Sequence, residues 1–239
     1  MVVVQAMTGK LIGLGVGPGD PELLTLKGAR LLRRATTIAY VALHDVPSFA
    51  RSIVATHLRP TLQEIRIDLT MTEAREPAQK AYDTGAEAIA KVLERGEDVI
   101  CLCEGDALFY GSFMYLAARL SDRFAVEVVP GVTSISAATA QAVMALTARN
   151  EVLTILPATL PDAVLRQQIE GSDSIVIMKL GRHLPRIRAL LTDMNLTATY
   201  VERASLPNGS VMQLDQAPEI SPYFSLLLIT KGNDPWLNR

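Results

Sequence analysis

A chain of 239 residues that is 49% hydrophobic and 20% charged has enough apolar mass for one large domain or two small ones, and it contains no polar low-complexity tract of the kind that stays disordered. Its 23 basic and 25 acidic residues leave a net charge of −2, which gives no electrostatic reason to expect a nucleic-acid partner. No apolar run reaches the ~18 residues that span a bilayer, and the opening MVVVQAM lacks the basic flank and long apolar core of a secretion signal, so a cytoplasmic globular protein is expected.

In chain order, residues 11–16 read as a strand that runs into GLGVGPGD, residues 13–20, where four glycines occupy alternate positions and an aspartate closes the run. Residues 23–35 have helical spacing, with Leu24, Leu31, Leu32 and Ala35 on the inner face and Asp20 or Thr25 able to cap the entry. A strand is expected at 37–41 and a long helix at 72–94, with a stripe of Ala78, Ala81, Ala88, Ile89, Val92 and Leu93. Residues 98–103 are apolar on both faces, as in a parallel sheet, and are followed by a helix at 113–120 and a strand at 125–129. The two cysteines, Cys101 and Cys103, share one face of that 98–103 strand; a disulfide there would be strained, so reduced core thiols are expected. The histidines at 44, 57 and 183 are scattered, and no metal site is expected.

Pro130-Gly131 then interrupts the pattern. Beyond it come a helix at 134–144, a strand at 152–156, a helix at 161–169, a strand at 174–178 and a helix at 184–191. Strand candidates at 198–202, 211–214 and 225–229 have no long helix between them, so the second sheet should finish antiparallel. The fold class expected is α/β in two domains, 1–129 with a largely parallel sheet and 130–239 with a mixed one, and a ligand cleft between them.

The glycine run is not a dinucleotide fingerprint. Gly-x-Gly-x-x-Gly counted from Gly13 lands on Pro18, and from Gly15 on Asp20; the Gly-Lys-Ser/Thr of a phosphate loop is missing as well. The run suits either close backbone approach to a ligand or a tight strand-to-helix turn with none. In LCEGDALFYGSFMYL, residues 102–116, a strand exits through Glu104-Gly105-Asp106, a set suited to a ribose, an amine or a sulfonium; Phe109, Phe113 and Tyr115 also fit an ordinary core. VVPGVTSIS, residues 128–136, offers Thr133 and Ser134 as helix caps or ligand contacts. Met178 closes a strand in SIVIMKLGRH, and Glu202-Arg203-Ala204-Ser205 closes another.

GLGVGPGDPELLTLKGARLL, EGDALFYGS, VPGVTS, VIMKLGRHLP and YVERAS occur in the order and spacing of the tetrapyrrole (corrin/porphyrin) methylases, a resemblance that covers essentially the whole chain. Within that family, LCEGDALFYGSFMYL and LPATLP resemble the members that methylate C-20 of precorrin-2 in cobalamin synthesis; other members usually carry glycine at the position of Glu104. Ala107 departs from the proline usual after Gly-Asp, which should loosen that loop slightly.

The resemblance implies S-adenosylmethionine as methyl donor, S-adenosylhomocysteine as product, and a folded cofactor in the interdomain cleft. Carried over by position, Pro18 lies in the first glycine loop; Glu104, Gly105, Asp106 and Phe109 form the loop on the methionine part and ribose; Thr133 and Ser134 come from the interdomain turn; and Met178 and Ala204 contact the adenine side. The implied substrate is precorrin-2, with the cobalt-containing counterpart, another ring position, or a non-catalytic tetrapyrrole carrier as alternatives. Arg182, Arg186 and Arg188 are candidates for its carboxylates, or else a solvated basic helix face. The group that removes the C-20 proton stays open among Glu104, Asp106 and Tyr110. No nucleic acid, membrane or metal partner is implied, and a homodimer is expected from the family.

Overall fold

The structure, a computed structural model, describes residues 8–70, 76–232 and 234. The opening heptapeptide and residues 72–75 of the predicted 72–94 helix lie outside them. The chain divides into two compact units, Met1–Thr133 and Ser134–Arg239.

In the first unit the strands are β1 (Leu11–Gly15), β2 (Thr37–Leu43), β3 (Gln63–Leu69), β4 (Val99–Cys103) and β5 (Val126–Val129). They form one sheet in the order β3-β2-β4-β1-β5, and every pair is parallel. All five residues of β1 and of β4 are buried, because helices cover both faces. The helices are α1 (Leu26–Arg34), α2 (Phe49–Ile53), α3 (Glu76–Leu93) and α4 (Phe113–Leu120). On one face Leu11, Ala39, Val99, Cys101 and Cys103 pack against Tyr82, Ile89 and Leu93 of α3 and Phe113, Leu116 and Leu120 of α4. On the other, Ile12, Leu14, Ile38, Ile100 and Leu102 meet Leu32 of α1 and Ala50 and Ile53 of α2. Each fully buried Leu or Ile contributes about 1.5–3 kcal/mol relative to exposure. The cysteines do share a face, and both are free and buried.

Two local differences from the sequence reading have simple causes. The helix expected from residue 23 starts at Leu26, because Thr25 is the residue that caps it, accepting the Gly28 N–H at 3.1 Å, while Asp20 caps a separate 3-10 turn at Pro21–Leu23. Strand β3 and helix α2 are additional to the elements read from the sequence. β3 (QEIRIDL) is an edge strand whose Glu64, Arg66 and Asp68 alternate with apolar residues, the charged pattern by which edges resist further pairing.

The second unit carries β6 (Leu153–Pro157), β7 (Ser174–Met178), β8 (Thr199–Glu202), β9 (Ser210–Gln213) and β10 (Ser225–Thr230) in the order β6-β7-β10-β8-β9. β6 and β7 are parallel and the remaining pairs antiparallel, so the sheet does finish as expected. Helices α6 (Asp162–Glu170) and α7 (Leu184–Asp193) place Leu165, Ile169, Leu184, Ile187 and Leu191 against Ile175, Ile177, Tyr200, Leu227 and Ile229. α5 (Ser134–Ala142) packs against β8 and β10. It stops two residues short of the predicted end, where Val143 turns to a φ of +48°.

Candidate active site

The ends of three neighbouring strands in the first unit converge on glycine. A Cβ built on Gly15, at the end of β1, would lie 2.6 Å from the Gly105 carbonyl oxygen beyond β4 and 2.6 Å from the Gly131 nitrogen beyond β5. A Cβ on Gly131 would lie 2.1 Å from that same oxygen. Gly17 and Gly105, at φ +85° and +63°, form a two-way bridge: the Gly105 N–H donates to the Gly17 carbonyl at 2.8 Å and the Gly17 N–H returns to the Gly105 carbonyl at 3.2 Å. Gly15 and Gly131 are therefore required by backbone lying on backbone, and Gly17 by its left-handed φ, at the carboxyl ends of parallel strands, where α/β sheets place their ligands. Pro18 is buried inside this crossing.

Asp106 joins two of these turns, the β4 loop and the β5 turn. Its Oδ2 accepts the Gly131 N–H and its Oδ1 the Leu108 N–H, each at 2.9 Å. The sequence marked Asp106 for ligand contact; in the structure each of its oxygens already accepts a backbone N–H. Next to it, Ala107 is fully buried, so the loop that lacks the usual proline is anchored by packing instead. Phe109 is half-buried and meets the exposed Tyr110 edge-on at 5.1 Å, with Tyr110 in the left-handed region at φ +56°. Glu104 is exposed as a residue, yet its carboxyl lies among enough protein to be held above the ordinary carboxylate range by lost hydration, an effect its own N–H and that of Ala50 in α2 only partly offset. Burial likewise pushes the Cys103 thiol up to about 12 and raises that of Cys101 as well, which makes both inert. Thr133 closes the unit, two residues after Gly131.

In the second unit the marked strand-end residues gather at one end of the three central strands, β7, β10 and β8. Met178, half-buried, ends β7 opposite Leu226; Arg203, after β8, donates its N–H to Phe224 at 2.7 Å, so both strand ends flank the start of β10, and Ala204 follows directly. Lys179, Arg203 and Ser205 all have positive φ, at +58°, +48° and +70°. Left-handed backbone at non-glycine residues is costly and tends to be retained where a site requires it. Gln141 of α5, unmarked by the sequence, holds this turn by accepting the Ser205 N–H at 3.0 Å. Ser134 opens α5.

Two of the three arginines proposed for substrate carboxylates have structural duties. Arg186 binds Asp162 and the Ala158 carbonyl, and Arg188 donates to the carbonyls of Ala217 and Pro218, at 2.7 and 3.1 Å. A solvated basic face is also the wrong description for them, since both are tied down. The residues marked from the sequence line neither the cavity of about 500 Å³ at the ends of β2 and β3, between His44, Arg51 and Arg66, nor that of about 550 Å³ between Met144, Val211 and Thr230. The first of these was missed because β3 and α2 were missed. Among the described residues, no group of His, Cys, Asp or Glu is arranged to hold a metal ion, and no helix is long and apolar enough to cross a membrane.

Comparison with known proteins places these features in a family context. A family model described as Tetrapyrrole (Corrin/Porphyrin) Methylases matches residues 10–217. A Sinorhizobium protein named precorrin-2 C(20)-methyltransferase is 40% identical over 95% of this chain and 97% of its own length. A cobalt-precorrin-2 C(20)-methyltransferase of Salmonella typhimurium is 31% identical over 94% and 98%. Among solved structures, the uroporphyrin-III C-methyltransferase of Thermus thermophilus, complexed with S-adenosyl homocysteine, matches with a TM-score of 0.66 at 24% identity, over 92% of this chain and 97% of that one, a likeness of fold.

Proposed function

We propose that this chain, which belongs to the tetrapyrrole (corrin/porphyrin) methylases, transfers a methyl group from S-adenosylmethionine to C-20 of precorrin-2 in cobalamin synthesis, giving precorrin-3A. The observation that carries the reading is 40% identity, end to end, with a protein bearing that activity in its name. The identity to the relative named for the cobalt complex is lower, at 31%.

The residues present fit the donor. Two turns crossing on glycine leave no Cβ at the strand ends, and the Glu104 carboxyl beside them suits a sulfonium or an amine rather than a phosphate. Pro18, Glu104, Gly105, Asp106, Phe109 and Thr133 from the first unit and Ser134, Met178 and Ala204 from the second are the proposed binding residues. Bound there, S-adenosylmethionine supplies a methyl group already activated by its sulfonium leaving group. The protein's part is to hold methyl and C-20 in line and exclude water, an effect worth several kcal/mol and up to roughly 7–11 in favourable cases. Asp106 supports this by tying the β4 loop to the β5 turn through its two backbone partners. The same reading takes the enzyme to be a cytoplasmic homodimer, which sedimentation and fractionation would check.

The test is anaerobic incubation with precorrin-2 and methyl-labelled S-adenosylmethionine. One label should appear at C-20 by NMR, with one S-adenosylhomocysteine per product. Transfer to another ring carbon would refute the assignment to C-20; transfer to the cobalt complex alone would move the enzyme to the route with early metal insertion.

A further inference from the structure

Methylation of C-20 leaves a proton to be disposed of. As the new C–CH3 bond forms from the macrocycle's π electrons, the S–CH3 bond breaks with its electron pair left on sulfur. The macrocycle becomes one charge more positive, and the C-20 hydrogen must depart as a proton, its C–H pair returning to the ring. A carboxylate within reach can take that proton.

Three groups in the β4 loop were open for this task, and the structure separates them. Asp106 has one backbone N–H on each oxygen, from Leu108 and from Gly131, and turning it to a substrate would break the tie between the β4 loop and the β5 turn. Tyr110 offers a hydroxyl rather than a carboxylate, beyond the turn and edge-on to Phe109. Glu104 stands at the carboxyl end of β4, the central strand of the sheet, immediately before the Gly17–Gly105 crossing, and it is exposed where its neighbours Cys103 and Gly105 are buried. We infer that Glu104 is the proton acceptor of the reaction, its carboxylate taking the hydrogen from C-20 after methyl transfer.

The surroundings suit that role. The groups that hydrogen-bond its carboxyl are backbone N–H groups, its own and that of Ala50, which orient it without neutralising it. Arg51, the cation of the adjoining α2, is committed to Glu64 at 2.7 Å, and the Cys103 thiol behind Glu104 stays protonated. Partial loss of hydration makes Glu104 a stronger base than a carboxylate in water.

The inference rests on the proposed C-20 reaction, and the experiment keeps the two apart. In Glu104→Gln, methylation of precorrin-2 should fall by about a hundredfold or more, while S-adenosylhomocysteine, which lacks the sulfonium charge, should lose no more than about tenfold in affinity. The acidic limb of the wild-type pH–rate profile should disappear, precorrin-2 deuterated at C-20 should show a primary isotope effect in the variant, and formate should rescue Glu104→Ala. A Glu104→Gln enzyme that methylates as the wild type does would overturn the inference. So would a variant whose loss of methylation is fully accounted for by lost S-adenosylhomocysteine binding, since that leaves Glu104 a cofactor ligand and nothing more. A wild type inert toward precorrin-2 overturns the reading itself, and the inference with it.

Discussion

Substituting Gly131 by alanine probes the crossing of the three strand ends directly. The added Cβ would lie 2.1 Å from the Gly105 carbonyl oxygen and 2.7 Å from the Gly15 carbonyl carbon. The first distance is more than an ångström inside the ~3.5 Å at which non-bonded heavy atoms rest, and both neighbours are backbone, so no side-chain rotation can relieve it. Relief requires the β5 turn to move away from β1 and β4, which also stretches the 2.9 Å bond from the Gly131 N–H to Asp106. Overpacking costs about 1–3 kcal/mol where side chains can yield; here the upper end, about 3 kcal/mol, is expected. With a urea m-value of about 1–3 kcal/mol/M, the unfolding midpoint should fall by roughly 1–3 M. Gly171→Ala is the control, because the nearest atom to its Cβ is the Gln167 carbonyl oxygen at 3.6 Å, ordinary contact; its stability should change by less than about 0.5 kcal/mol. On the functional reading, calorimetry should also show S-adenosylhomocysteine binding weakened about tenfold or more in Gly131→Ala, equivalent to about 1.4 kcal/mol. Equal urea midpoints for the two variants would refute the packing reasoning.

Asp106→Ala should destabilise the first unit by about 1–3 kcal/mol in the same denaturation assay, because the part-buried Gly131 N–H loses its acceptor, while Asp106→Asn, which keeps one carbonyl oxygen, should lose less. Cys101 and Cys103 should resist thiol reagents in the native protein and react only on unfolding, since burial holds the Cys103 thiol at about 12; rapid native labelling would contradict this. Glu127, paired with Lys10 at 2.8 Å and Lys27 at 2.6 Å, has its carboxyl lowered to about 2 by those two ammonium groups. Because the folded value lies below the unfolded value of ~4.3, its contribution is present above the unfolded value and is lost as pH falls toward 2. The pair is partly exposed, so the effect should shrink in salt, and carboxyl NMR should show Glu127 titrating near its ordinary value once both lysines are replaced by alanine.

Much of the fold could be read from local periodicity. Apolar residues on both faces over 98–103 marked a parallel strand, the stripe of Ile89, Val92 and Leu93 marked α3, and the absence of long helices after β8 marked the antiparallel end of the second sheet. The failure of the dinucleotide spacing and the burial of both thiols on one face were equally local facts. Side-chain periods of two and 3.6 residues reveal which face is apolar, and that is information within a single element.

What only the tertiary structure decided lies between elements. Gly15, Gly105 and Gly131 are far apart in the chain and in contact only because β1 is inserted between β4 and β5, an order that no periodicity encodes. The same packing puts the Gly131 N–H on Asp106, so that a residue marked for ligand contact also braces the β5 turn, and leaves Glu104 as the exposed carboxylate of that strand end. Arg186 and Arg188 carry the same charge in the sequence as arginines open to substrate; their commitment to Asp162, Ala158, Ala217 and Pro218 appears once α7 is packed on its sheet. Charge and residue type are properties of a position in the chain, but the partners that consume a donor or acceptor are set by strand order and packing, across separations that local patterns do not reach.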